Sequence, residues 1–382
     1  MDAASNHELS NESIDVGYPR HYQLLQGENQ VVHGTRWSTD RLLATYVSST
    51  DGIIGRMDGS IPYNESPAIF AHNNITQEEK RDLPPPQAVI YLDKSARPVE
   101  WMVRALWDTL ASPKVGPDGA SSIPNIPKSH FLNIDKGDWL MRMGVPPMHL
   151  EDTPVEMIDF EKIDREHLTR IRALYSTVTI SEDNLEDAWK HPTIFDGQHV
   201  MIVDEVASSG QTLNIALHLL GAAIPAATFS GNYWAIPKRY ALRGGAPVDG
   251  KMQFAREWVP VWYSADFKTG RGISDKDPRW PVIRKMSPTD PGRIGKDLLS
   301  TPPHDLITNE LVQDKQANQL RREITYLARD LREGHILYQP AISRPSKSDE
   351  DFARLKARIE ALNGISFDQW MARRDALLDP KS

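Results

Sequence analysis

The stretch Val200-Met201-Ile202-Val203-Asp204-Glu205-Val206-Ala207-Ser208-Ser209-Gly210-Gln211-Thr212-Leu213 constrains the fold more than any other part of the chain. An apolar run of this kind reads as a strand buried on both faces, as in a parallel sheet. Two adjacent carboxylates close it, and a small, hydroxyl-bearing loop leads into an amphipathic helix. The start of a helix carries backbone N–H groups with no intrahelical partner, and its dipole favours negative charge there. Ser208, Ser209 and Thr212 add hydroxyl donors, while Gly210 lets the backbone approach a ligand closely. Asp204 and Glu205 can accept from vicinal sugar hydroxyls, directly or through a divalent cation. A sugar phosphate suits this set of groups. The plainer alternative is a strand-turn-helix whose serines cap the helix and whose acids are solvated.

At 382 residues the chain has room for one large or two ordinary domains. With no cysteine it has no disulfide, thiolate metal site or cysteine nucleophile, which fits a reducing cytoplasm. The first twelve residues are polar, and no apolar run reaches the length that spans a bilayer, so we expect a cytoplasmic protein without a membrane partner. A net charge of -8 argues against a nucleic-acid partner, which needs a concentrated basic face.

Residues 1–35 lack periodicity and read as a polar tail or loosely docked arm. Ala88 to Leu92 reads as a central parallel strand, and Val99, Met102, Val103, Leu106 and Leu110 recur at helical spacing after Pro98. The Pro-, Gly- and Ser-rich stretch 112–129 reads as a mobile loop, with a strand over Phe131 to Asp135 beyond it. Helices are expected over 161–175 and 182–190, and another from about Ser209 to a C-cap at Gly221. Further strands are expected at 226–230 and 258–263. The alternation defines an α/β fold with a mainly parallel sheet over residues 36–286. Residues 287–382 read as a linker and a C-terminal helical extension. Its stripes, Leu320, Ile324, Leu327, Leu331 and Phe352, Leu355, Ile359, Leu362, pack on the core or each other, or form a homodimer contact.

The stretch from Val200 resembles the signature by which type I phosphoribosyltransferases bind 5-phosphoribosyl 1-pyrophosphate (PRPP). The pattern is four apolar residues, two acids, two variable residues, two hydroxyl residues, glycine, any residue and threonine, and every position is met. The lead-in Phe195-Asp196-Gly197-Gln198-His199 is also similar. The resemblance implies displacement of pyrophosphate from PRPP by a nitrogen acceptor, a nucleobase by default, with Mg2+ as cofactor held by Asp204 and Glu205. Residues 206–212, Val206 and Ala207 included, would hold the 5'-phosphate.

A second anion cradle is needed for the pyrophosphate, and Asp93-Lys94-Ser95-Ala96-Arg97 repeats the strand-end, helix-start pattern. Lys94 offers a point charge, Arg97 a planar fork, and the amides near Ser95 neutral donors. The plainer alternative is a solvated turn. Trp262, Asp266, Arg271, Tyr233 and Trp234 are candidates to contact or stack on the acceptor. The loop at 112–129 is a candidate cover that excludes water. His191 and His199 have no partner recognisable in the sequence. Two other readings compete: a non-catalytic PRPP- or nucleotide-sensing regulator of the same fold, and a PRPP synthetase, which would require an ATP site and a duplicated architecture not visible here.

Overall fold

The computed structural model describes residues 22, 25, 31–32, 35–36, 39–61, 69–70, 83–92, 96–134, 136–149, 153–206, 210–235, 299–300, 315–340 and 349–378. In chain order the strands and α-helices are β1 (Val31–Val32), β2 (Thr35–Arg36), α1 (Thr39–Met57), β3 (Ile69–Phe70), β4 (Ala88–Leu92), α2 (Arg97–Leu110), β5 (Lys114–Val115), β6 (Ser121–Ser122), β7 (Lys128–Ile134), α3 (Lys136–Arg142), α4 (Arg165–Leu174), β8 (His199–Val206), α5 (Gln211–Ala223), β9 (Thr228–Ala235), β10 (Leu299–Ser300), α6 (Lys315–Arg332), α7 (Asp349–Asn363) and α8 (Phe367–Leu378).

The main sheet runs β10-β7-β4-β8-β9-β3. Its four central strands are parallel, and the short edge strands β10 and β3 are antiparallel. Helices cover both faces, so the expected α/β architecture is present. Burial on both faces explains the unbroken apolar runs of β4 and β8. Val89, Tyr91, Met201 and Val203 face a core shared with α1, α2 and α6. Ala88, Ile90, Val200 and Ile202 face a second core, built with α3, α4 and α5. From β4 the chain crosses through α2 to β7, and from β8 it crosses through α5 to β9 on the other side. The two crossovers use opposite faces of the sheet. The carboxyl ends of β4 and β8 are therefore the point where strand order reverses, the usual ligand crevice of an open α/β sheet.

Several expectations need correction. The 112–129 stretch holds the β5–β6 hairpin and feeds the amino end of β7, with Trp107 Nε1 donating to the Pro124 carbonyl at 2.8 Å. It lies at the opposite edge of the sheet from the crevice and cannot cover it. β7 begins three residues earlier than expected, and β9 extends five residues beyond 230. Gly221 lies inside α5, which instead stops at Ile224, the residue before Pro225. The 161–175 segment divides into a single turn and α4, and 182–190 is a pair of tight turns broken at Asn184. The strand expected at 258–263 lies outside the described residues.

Tyr22 and Leu25 of the N-terminal segment are docked. Leu25 N donates to Glu323 Oε2 at 2.9 Å, and the Tyr22 hydroxyl donates to Asp330 Oδ2, both on α6. The Leu320, Ile324, Leu327 and Leu331 stripe is buried inside the chain, so a homodimer contact must use other residues. Arg358 of α7 joins α1 through Asp51 Oδ1 (2.8 Å) and the end of α2 through Ser112 Oγ (3.0 Å). Among the described residues no helix is long and apolar enough to cross a membrane.

His199 does have partners. The Pro84 carbonyl only accepts, so Nδ1 donates to it at 2.7 Å, leaving Nε2 to accept from the Ser230 hydroxyl at 2.8 Å in the neutral ring. Burial pushes the pKa of His199 down, and burial and then Lys128 do the same for His130. A depressed folded-state pKa means that the unfolded chain binds more protons below about pH 6.5. Stability is therefore complete above that pH and falls as pH drops through the folded pKa. Urea midpoints are expected to be lower at pH 5.5 than at pH 7.5, with a smaller difference in His199→Gln; an unchanged difference would remove His199 from this account.

Candidate functional site

β4 and β8 are hydrogen-bonded neighbours, with Ala88 level with Val200 and Tyr91 level with Val203. The segments following both strands therefore leave the same edge of the sheet side by side. The first includes Asp93, Lys94 and Ser95 and the second Ala207, Ser208 and Ser209; these six residues lie outside the described set, as do Asp266, Arg271 and Trp262. The register of β4 and β8 sets their carboxyl ends side by side.

β8 continues through Val206, so strand alternation separates the two acids. Asp204, 9 % exposed, lies on the α5 side, level with Tyr233 of β9. One of its oxygens accepts from the Glu205 amide at 2.8 Å. Glu205, 0 % exposed, lies on the α1 side, where burial first, then its carboxylate and that of Glu323, push the Tyr46 phenol up. An adjacent pair gripping one ion or one ribose is thus replaced by a single crevice-side carboxylate with a buried neighbour behind it.

α5 opens at Gly210, whose φ of +78° is the left-handed conformation glycine tolerates. Among the described residues no side chain caps this end of the helix. The Gly210 carbonyl accepts from Asn214 N (3.2 Å), Asn214 Nδ2 (2.8 Å) and the Tyr233 hydroxyl (3.3 Å). Thr212 is half-buried in the first turn. Gln211, expected to face the ligand, is buried and donates through Nε2 to the Thr153 carbonyl at 2.7 Å. That link ties the helix start to the segment after β7, a tertiary contact that no local pattern announces.

The second cradle is altered more. Ala96 is buried at the α2 N-cap, and its amide donates to the Leu92 carbonyl at 3.1 Å, so it is not offered to a ligand. Arg97, 1 % exposed, lies with its guanidinium 3.7 Å from the centroid of the Phe131 ring. It is a core cation-π partner, not a free fork for phosphate. Trp234 is likewise in the core, stacked on Tyr46 at 5.4 Å, with Nε1 donating to Thr50 Oγ1 at 3.0 Å. It cannot stack on an acceptor. Tyr233 faces the other way, and its hydroxyl goes to the helix start.

No family model, curated protein or solved structure matches the chain. The residues themselves must therefore carry the functional reading.

Proposed function

We propose that the chain is a phosphoribosyltransferase that moves the 5-phosphoribosyl group of PRPP to a nitrogen acceptor, a nucleobase by default, and releases pyrophosphate. The carrying observation is the juxtaposition at the strand-reversal point. A signature loop that matches the PRPP pattern at every position and a basic loop leave adjacent parallel strands at one edge. A ligand with a phosphate at one end, a ribose in the middle and a pyrophosphate at the other fits that spacing of chemistry.

In this reading the amino end of α5, with Ser208, Ser209 and Thr212, holds the 5'-phosphate. Lys94 and the amides near Ser95 hold the pyrophosphate. Asp204 orients the ribose hydroxyls and lends negative potential near the sugar as the C1–O bond to pyrophosphate breaks and the N–C1 bond forms. The sugar becomes cationic and the leaving group more anionic, so fixed donors around the pyrophosphate lower the barrier. The donor set fits a magnesium ion held by Asp204, with substrate oxygens and water as the other ligands. Such an ion would supply charge neutralisation at the departing pyrophosphate. The absence of cysteine makes a reducing, cytoplasmic setting part of the same proposal.

A specific observation favours the sensor as second reading. Arg97 and Glu205, two of the four groups expected to act on the substrate, are committed to the core. A protein that only binds PRPP needs neither. Isotope-labelled PRPP incubated with Mg2+ and a panel of bases separates the readings. Labelled nucleotide with stoichiometric pyrophosphate is expected; PRPP binding with no product from any base would establish the sensor.

A further inference from the structure

Arg321 of α6 is a cation without a counter-ion. It is half-buried, beside Leu320 and Ile324, whose buried side chains seat α6 against α2. Its guanidinium lies 4.4 Å from the centroid of the Trp101 ring on α2. Among the described residues that guanidinium has no hydrogen-bond or ion-pair partner. The acid nearby, Glu100, is already joined to Arg104. Burial, then the neighbouring Arg97, push the Arg321 pKa down, with Glu100 acting in the opposite sense. Partly burying an unpaired charge is costly, and a second guanidinium close by adds to that cost. The Trp101 face offsets only part of it. An anion drawn in beside Arg321 would remove the rest.

Trp101 follows Arg97, the first residue of α2, by about one helical turn, or roughly 6 Å along the axis. α2 itself begins directly beyond the segment that carries Lys94, at the carboxyl end of β4. Arg321 is therefore at the end of α2 that borders the crevice. We propose that Arg321 supplies the guanidinium for the pyrophosphate end of the substrate, so that the C-terminal helical extension completes the leaving-group site begun by Lys94. The inference rests on the phosphoribosyltransferase reading and adds a substrate-binding residue to it. Arg97, the guanidinium expected there from the sequence, lies over Phe131 in the core, and α6 brings a second one to the same end of α2. Its planar fork can hold two phosphate oxygens at once, and the Trp101 ring fixes its position.

Arg321→Gln removes the charge and breaks no side-chain hydrogen bond among the described residues. With dissociation constants measured for pyrophosphate, PRPP and ribose 5-phosphate at one salt concentration, the variant is expected to lose about 5- to 30-fold in affinity for the first two. Ribose 5-phosphate, which has no pyrophosphate, should bind as before. Arg321→Lys, which keeps the charge without the fork, should lose less. Undiminished affinity for pyrophosphate and PRPP in Arg321→Gln would overturn the proposal, and so would an equal loss for ribose 5-phosphate, which signals general loosening. If the wild-type chain binds none of the three ligands, the phosphoribosyltransferase reading itself fails; wild-type binding with an unaffected variant removes Arg321 alone.

Discussion

Asp204→Asn is expected to bind PRPP about 10- to 100-fold more weakly than the wild-type chain, the cost of weakening charge-assisted hydrogen bonds to the ribose hydroxyls. Glu205→Gln should change the affinity by less than about threefold, because that side chain lies behind the sheet beside Tyr46. The contrast matters because the two residues are adjacent and chemically similar. If both acids reached the sugar, both neutral variants would lose affinity alike. Isothermal titration of the two single variants with PRPP and Mg2+ distinguishes the cases, and a larger loss in Glu205→Gln would reverse the assignment.

Arg172→Met is expected to lower unfolding stability by about 3 kcal/mol, as read from a urea denaturation curve. The buried guanidinium donates to three carbonyls in two segments: Ala188 at 2.9 Å and His191 at 2.9 Å in one, and Ala223 at 3.1 Å in the other. Methionine fills much of the volume but leaves all three acceptors without that donor. Arg172→Lys should recover little, since an ammonium cannot reproduce the planar fork. Ala223 ends α5, so the cation also meets the negative end of that helix dipole. The far end of the helix that opens the candidate site is thereby held. A loss below about 0.5 kcal/mol would show that the clamp is dispensable.

The parts of the fold governed by burial on both faces were legible in the chain. Ala88 to Leu92 was read at its observed limits because an apolar run between breakers has few other outcomes. α1 was missed for the opposite reason. It carries Ser48, Ser49, Thr50, Asp51 and Gly52, poor helix formers, and is held by packing on α2 and β9 instead of by propensity. The loop expected as a cover was placed by composition, which says nothing about which edge of a sheet a loop occupies.

At the site, the identity of the loops was readable, whereas side-chain direction was not. Reading Asp204 and Glu205 as a pair that closes the strand set them together, but β8 continues through Val206 and puts them on opposite faces. Arg97 looked exposed beside a charged loop, yet the helix begins there and its first turn lies over Phe131. Trp234 and Tyr233 were equal candidates until β9 was seen to continue through both, sending one to each core. In each case a few residues of strand or helix length decided the chemistry.

The central claim is that one PRPP molecule engages both loops at the carboxyl ends of β4 and β8. Amide hydrogen exchange with and without PRPP and Mg2+ tests it most directly. The account predicts slowed exchange in both 93–97 and 207–213, with none in the 112–127 hairpin segment at the other edge of the sheet. Protection confined to one loop, or centred on 112–127, would contradict it.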